Sequence, residues 1–230
     1  MNKDETVKAV TFDAGGTLIH LTERVGTTYS RIAESFGIAA GAECLETAFR
    51  EVWKAMPRPF SPPHGLSEEA WWKSVVTAVF ESAAGPDFTD PDNFDVFFRT
   101  LFDYFGKPGV WALDADALDL LEHLSSRGIR TGIISNFDSR LYSILEDLEV
   151  SRFFDPVVIS DRVRASKPDR KIFDCAISIL DLPAAQILHV GDDPVCDVRG
   201  AEAAGMRTFL VGRRAGTLNQ IIDKLPLAQT

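Results

Sequence analysis

The chain has 230 residues, nearly half of them apolar and a quarter charged, which suits one α/β domain with a smaller insert and is too short for three ordinary domains. Its formal net charge of −10, with no basic run to offset it, speaks against nucleic acid and anionic membrane as partners. A small anionic substrate then has to be met by locally placed cations and oriented backbone N–H groups.

Met1–Lys8 is polar and the apolar run behind it is short, so no signal peptide is read, and no apolar stretch approaches membrane-spanning length. Three scattered cysteines, Cys44, Cys175 and Cys196, fit neither a disulfide framework nor a zinc knuckle. All three read as buried thiols in a reducing compartment, and the protein is expected to be cytoplasmic.

The first element is a short β-prone run, Val7–Phe12, stopped by Asp13-Ala14-Gly15-Gly16 in a tight loop open to phosphate. Apolar residues at helical spacing follow over Tyr29–Phe36, Ala42–Lys54, Glu68–Phe80 and Phe94–Phe105. Breakers separate them: Met56-Pro57-Arg58-Pro59, Ser61-Pro62-Pro63-His64-Gly65 and Gly85-Pro86-Asp87. With no strand pattern in it, this stretch reads as a helical insert.

Beyond Gly109 helices and strands alternate. Helices are expected over Ala115–Arg127, Leu141–Leu148, Pro168–Leu180 (Pro168 in the first turn, where no N–H is needed) and Gly200–Ala204. Strands are expected over Ile129–Ile134, Val157–Ser160, Ile187–Val190 and Thr208–Val211. The alternation predicts an α/β fold: a doubly wound, Rossmann-like parallel sheet of five strands covered on both faces.

Such sheets place ligands at the carboxyl ends of their strands. Those ends carry Asp13-Ala14-Gly15-Gly16-Thr17, Ser135-Asn136 and Gly191-Asp192-Asp193, with Asp197 five residues beyond Asp192 and Lys167 just before a helix. Each feature has an ordinary reading, as a turn, a helix cap or a solvated lysine. Their joint occurrence at strand ends, in this chain order, is what points to chemistry.

In that order the motifs resemble the haloacid dehalogenase-like superfamily: an Asp-x-Asp-Gly-Thr loop, a Ser or Thr after a strand, a Lys, and an acidic Gly-Asp-x(4)-Asp. They match Asp13–Thr17, Ser135-Asn136, Ser166-Lys167-Pro168-Asp169 and Gly191–Asp197, and Gly200–Met206 is similar too. The resemblance implies a core domain over residues 1–20 and 106–230 and a helical cap over 21–105. It also places the first strand centrally, between those ending in Ser135 and Asp192. Trp71-Trp72 is similar to a feature of one phosphatase-like subgroup, although adjacent tryptophans are more often core packing.

The resemblance further implies a Mg²⁺-dependent phosphohydrolase acting on a small phosphorylated metabolite. Asp13 would be the nucleophile, forming an aspartyl-phosphate. Asp13, Asp192 and the Gly15 carbonyl would bind Mg²⁺. Ser135, Asn136 and the Gly16 amide would hold phosphate oxygens, Thr17 would brace the loop, and Lys167 would neutralise charge. Asp193 or Asp197 would orient metal-bound water or Lys167. Without a cation, Asp13 and Asp192 brought together would push one carboxyl upward.

One residue departs from the pattern. Gly15 stands where phosphatase members carry the Asp that protonates the leaving group and then activates water. A general acid–base group typically contributes about 10²–10⁴-fold. His20, Glu23 and His64 are the candidate substitutes. The alternatives are a metal-free 2-haloacid dehalogenase, which does not need the acidic fourth motif, and a binding module that has lost turnover. A phosphonatase would need a cap lysine, for which Lys54 and Lys73 are the choices.

Overall fold

The computed structural model describes residues 6–60, 65–84, 91–212 and 215–225. The Ser61–His64 and Gly85–Asp87 breakers, and His64 with them, lie outside the described residues. The chain divides into two compact units, one made of Met1–His20 and Ala112–Thr230, the other of Leu21–Trp111.

The first unit is an α/β layer structure. Strand β1 (Ala9–Phe12) is followed in chain order by β2 (Ile19–Leu21), β3 (Trp111–Leu113), β4 (Arg130–Ser135), β5 (Phe154–Ile159), β6 (Ile187–Gly191) and β7 (Arg207–Leu210). Five of these form a parallel sheet in the order β5-β4-β1-β6-β7, and β2 pairs with β3 separately. All four residues of β1 are buried, as a central strand covered on both faces requires. Its register sets Phe12 beside Ile133 on one side and Val190 on the other. The residues one or two positions beyond these partners, Asp13, Ser135 and Gly191, therefore come together at one end of the sheet. β1 is central and flanked as the resemblance implied.

Helices α5 (Ala117–Ser126), α6 (Arg140–Asp147), α7 (Ser160–Val163), α8 (Arg170–Leu180), α9 (Gly200–Ala203) and α10 (Gln220–Lys224) belong to this unit. The helix expected from Pro168 begins two residues later. Asp169 is its N-cap, its carboxylate accepting from the Lys171 amide at 2.9 Å, and an Asx cap of this kind fixes the start more firmly than a proline in the first turn. β5 starts three residues earlier than expected and takes in Asp155-Pro156, with a shift in its pairing with β4 between Thr131 and Ile133. Ser160 falls out of the strand and opens α7. Ahead of α9 the chain makes a π-helical turn over Pro194–Arg199 that no periodicity announced. The three-residue strands β2 and β3 are too short to show an alternation.

The second unit is built from α1 (Val25–Ser35), α2 (Ala42–Ala55), α3 (Glu68–Ala84) and α4 (Pro91–Tyr104). Its core holds Tyr29, Leu45, Trp71, Val79, Phe80, Phe97 and Leu101. Tyr29 stacks on Phe80 at 5.7 Å between ring centroids, and Phe80 meets Phe97 edge-on at 5.0 Å. α1 begins one turn before the expected Tyr29, at weak helix formers, because tertiary contact decides there: a Cβ on Gly26 would stand 2.2 Å from the Ala42 carbonyl oxygen, and the Gly26 amide donates to Glu46 at 2.9 Å. Trp71 is 3 % exposed and donates to the Pro57 carbonyl, so this tryptophan is core. Phe80→Ala should cost about 3–5 kcal/mol, read as a lower midpoint in urea unfolding.

The cysteines depart from expectation. All three are free thiols, but only Cys196 is buried, Cys44 being exposed and Cys175 intermediate. Cys44 sits on the polar face of its amphipathic helix, while Cys175 lies at the edge of the core, partly buried against the cluster that holds Ile172 and Phe173. Among the described residues no helix is long and apolar enough to cross a membrane.

Candidate active site

The ends of β1, β4 and β6 surround a buried ion cluster. Lys167 Nζ lies 2.7 Å from Asp13 Oδ1 and 2.5 Å from Asp197 Oδ1, with Lys167 and Asp197 almost fully buried. Ser135 Oγ donates to Asp13 Oδ1 at 2.8 Å. Asp13, Asp192 and Asp197 each offer a carboxylate oxygen within 4.8 Å of the others. Thr17 donates to Asp192 Oδ1 at 3.3 Å and so ties the loop after β1 to the end of β6.

Two glycines make this approach possible. Gly16 has φ of +90°, and a Cβ there would stand 2.8 Å from Asp192 Oδ2. A Cβ on Gly191 would fall 2.2 Å from the Asp197 carboxyl carbon. Gly16→Ala should accordingly lower stability by more than about 1 kcal/mol, through strain at positive φ together with displacement of Asp192; thermal unfolding would report it. Gly15 is different. Its backbone lies outside the left-handed region, and a Cβ there would meet no described atom within 4 Å.

Asn136, expected to hold phosphate, is spent elsewhere. Its side-chain N–H donates to the Lys167 carbonyl at 3.1 Å and its Oδ1 accepts from the Lys167 amide at 2.7 Å. It clamps the backbone that carries the ammonium. Asp193 does not reach Lys167 either. Its Oδ1 accepts from the Val195 and Cys196 amides and caps the π-helical turn. Asp197 is the residue that meets Lys167, and its second oxygen accepts from the Asp193 amide at 2.9 Å.

His189 joins the cluster without having been singled out in the sequence. It lies on β6 inside an apolar run, which reads as a strand filler. Only the β1–β6 register, which pairs it with Thr11, reveals its partners.

The electrostatics follow from three carboxylates around one ammonium. The two flanking carboxylates hold Lys167 charged far above the ordinary lysine range, against the opposing effect of burial. Lys167 and His189 hold Asp197 well below the carboxylate range, although burial alone would raise it. Burial pushes Asp13 up. Desolvation, then Asp13 and Asp197, push Asp192 up to about 6 although it keeps contact with solvent. With every carboxylate ionised, two negative charges stay uncompensated, which is what a divalent, oxygen-seeking cation would neutralise. The donor set therefore fits Mg²⁺. Asp13 and Asp192 are the better candidates, since both oxygens of Asp197 are already engaged, by Lys167, His189 and the Asp193 amide.

The raised Asp192 carries a stability consequence. Its folded value of about 6 lies above the ordinary 3.8, so the folded state binds the proton more tightly. The stability this contributes is present at low pH and is lost as pH rises toward and through about 6. Asp192→Asn should flatten that decline in metal-free protein and abolish any Mg²⁺-dependent rise in melting temperature. Melting curves from pH 4 to 8, with and without millimolar Mg²⁺, test both.

Of the candidate substitutes for the missing acid, the two among the described residues, His20 and Glu23, are engaged. His20 Nε2 pairs with Asp114 Oδ2 at 3.1 Å. Glu23 accepts from Thr28 and Arg31, which hold it below the usual glutamate value, so it carries no proton to give at neutral pH. Lys54 is exposed and Lys73 is paired with Asp95 at 2.5 Å, so neither is the buried amine a Schiff base needs.

The chain belongs to the haloacid dehalogenase-like hydrolases, whose family model matches residues 7–205. A mouse relative, haloacid dehalogenase-like hydrolase domain-containing protein 3, is 33 % identical over 224 residues, covering 96 % of this chain and 88 % of its own. Among solved structures, an HAD-hydrolase of Bacillus subtilis bound to magnesium superposes with a TM-score of 0.72 at 18 % identity, covering 96 % of this chain and 99 % of that one. L-2-haloacid dehalogenase from Xanthobacter autotrophicus gives 0.67 at 22 %, covering 91 % and 79 %. At these identities the structural matches show the fold alone.

Proposed function

We propose that this hydrolase is a magnesium-dependent phosphohydrolase of small phosphorylated metabolites, working through an aspartyl-phosphate at Asp13. The observation that carries the reading is the uncompensated charge of Asp13, Asp192 and Asp197 around a single Lys167. A site that had to attract a neutral or monoanionic haloacid without metal would gain nothing from Asp192.

Asp13 Oδ1 is held by both Ser135 and Lys167, which leaves Oδ2 as the oxygen free to attack. Asp13, Asp192 and the Gly15 carbonyl would hold Mg²⁺, which supplies positive charge opposite the transferring group's oxygens. Lys167 stays an ammonium throughout and spreads its charge over the nucleophile and the incoming phosphoryl oxygens. Ser135 and Thr17 brace the two carboxylates, donating to Asp13 and Asp192; the Gly16 amide, expected to hold a phosphate oxygen, donates instead to the Ile19 carbonyl at 2.9 Å, and Asn136 and Asp197 fix Lys167 from either side. The free thiols suit the reducing cytoplasm.

The leaving group is where this chain is specialised. Around Asp13, Lys167 is held charged, Asp197 ionised and His189 neutral, and Asp192, pushed up to about 6 without metal, is mostly ionised at pH 7 and becomes more so beside Mg²⁺, so none of these is a ready proton donor to the leaving group. The preferred substrates are then those whose leaving oxygen departs unprotonated, acyl and aryl phosphates before sugar phosphates. The test is addition of phosphoryl mass to the protein from acetyl phosphate or 4-nitrophenyl phosphate with and without Mg²⁺, beside halide release from 2-haloacids. Metal-dependent mass gain that vanishes in Asp13→Asn supports the reading. Halide release without metal overturns it in favour of a dehalogenase, and neither reaction points to a binding module.

A further inference from the structure

The buried line Thr11–His189–Asp197–Lys167 extends the site into the sheet. Thr11 Oγ1 lies 3.0 Å from His189 Nδ1, and His189 Nε2 lies 3.3 Å from Asp197 Oδ1, the oxygen that also takes the Lys167 ammonium. The His189 side chain is fully buried, and Phe173 from α8 closes it edge-on at 5.5 Å. Burial favours the neutral ring, and for a neutral ring the proton inventory of this line has one consistent solution. Asp197, ionised between a cation and a backbone amide, can only accept, so Nε2 carries the imidazole proton. Nδ1 is then an acceptor, and the Thr11 hydroxyl is its donor. No water is needed, and every polar atom of the line is used.

We propose that His189, fixed by Thr11 as the neutral Nε2–H tautomer, is a positioning residue that orients the Asp197 carboxylate and through it aims Lys167 at Asp13. The charged groups facing it are Asp197 from the π-helical turn, Lys167 ahead of α8 and Asp13 past β1, while Thr11 on β1 and Phe173 on α8 contribute no charge. Asp13 follows Thr11 by two residues, just past the end of β1, and His189 is the strand partner of Thr11. The sheet register itself thus sets the distance from nucleophile to ammonium. This inference rests on the phosphohydrolase reading for its rate measurement only.

The direct test is nitrogen NMR of the histidine rings in the wild-type protein. The His189 ring should be the Nε2–H tautomer and keep that form from pH 5.5 to 8.5. An Nδ1–H ring, or a doubly protonated one at neutral pH, would overturn the proposal whatever the enzyme does. The second test separates orientation from packing. His189→Gln places an amide donor near the Nε2 position, whereas His189→Asn places one near Nδ1 and His189→Leu places none. Phosphoryl uptake by Asp13 at saturating acetyl phosphate should fall by about tenfold or more in the Asn and Leu variants, as expected for a misplaced charged group, and recover most of its rate in the Gln variant. The half-saturating concentration should be unchanged throughout. Equal losses in all three variants would mean that His189 only fills space. If the wild type takes up no phosphoryl group, the phosphohydrolase reading fails, and the tautomer measurement still decides the role of His189.

Discussion

Gly15→Asp should raise turnover of sugar and alkyl phosphates by on the order of 10²-fold or more, the usual contribution of a general acid–base group, while changing acyl-phosphate turnover far less. The structure removes the main objection to the variant. Gly15 does not occupy the left-handed region, and an added Cβ meets no described atom within 4 Å, so the loop can carry the side chain without strain. In the wild type the same absence acts twice. The leaving group departs without a proton, and the water that must cleave the aspartyl-phosphate finds no base at that position. The phospho-protein should therefore accumulate, visible as a burst and as added mass that Asp13→Asn abolishes. A folded Gly15→Asp protein with an intact Mg²⁺ thermal shift and no gain on any ester would sink this account and point to an acid supplied from elsewhere.

Lys167→Met should be the most damaging substitution in the core unit. Among the described residues it removes the only cation within hydrogen-bonding distance of Asp13 and Asp197 and leaves two buried carboxylates facing each other. Removing one partner from a buried pair costs about 3–5 kcal/mol, because the charge left behind has lost its compensation. The pH dependence distinguishes this from simple loss of packing. Without the ammonium, both carboxyls titrate above their unfolded values, so the variant gains stability as they protonate and loses it as pH rises through their folded values. Urea midpoints at pH 5 and pH 8 should show a smaller deficit at pH 5. An equal deficit at both would mean that the lysine acts through its apolar stem alone. Phosphoryl uptake should be abolished at either pH.

Much of this site is legible before folding is considered. A strand that stops at Asp13, another at Ser135 and a third at Gly191 are local patterns, and alternating strands and helices commit the chain to a parallel sheet whose strand ends share one side. The nucleophile candidate, the acidic loop and the lysine follow from the family resemblance that these residues carry in this chain order. The oddity at Gly15 is also purely a matter of sequence.

The tertiary structure decided which side chains are still available. Asn136 was expected to hold phosphate and Asp193 to orient metal-bound water or Lys167, yet each meets backbone groups that only the folded chain brings near. Asp197 became the partner of Lys167 through a π-helical turn and the missing Cβ of Gly191, neither of which has a periodicity to read. His189 was hidden for the same reason. Sequence pattern reports whether a residue is buried, because burial follows period, but the partner of a buried polar group is set by strand register across 178 residues of chain. Local patterns therefore determined the fold and the kinds of groups at the site, and long-range register and close backbone approach determined what each group can do.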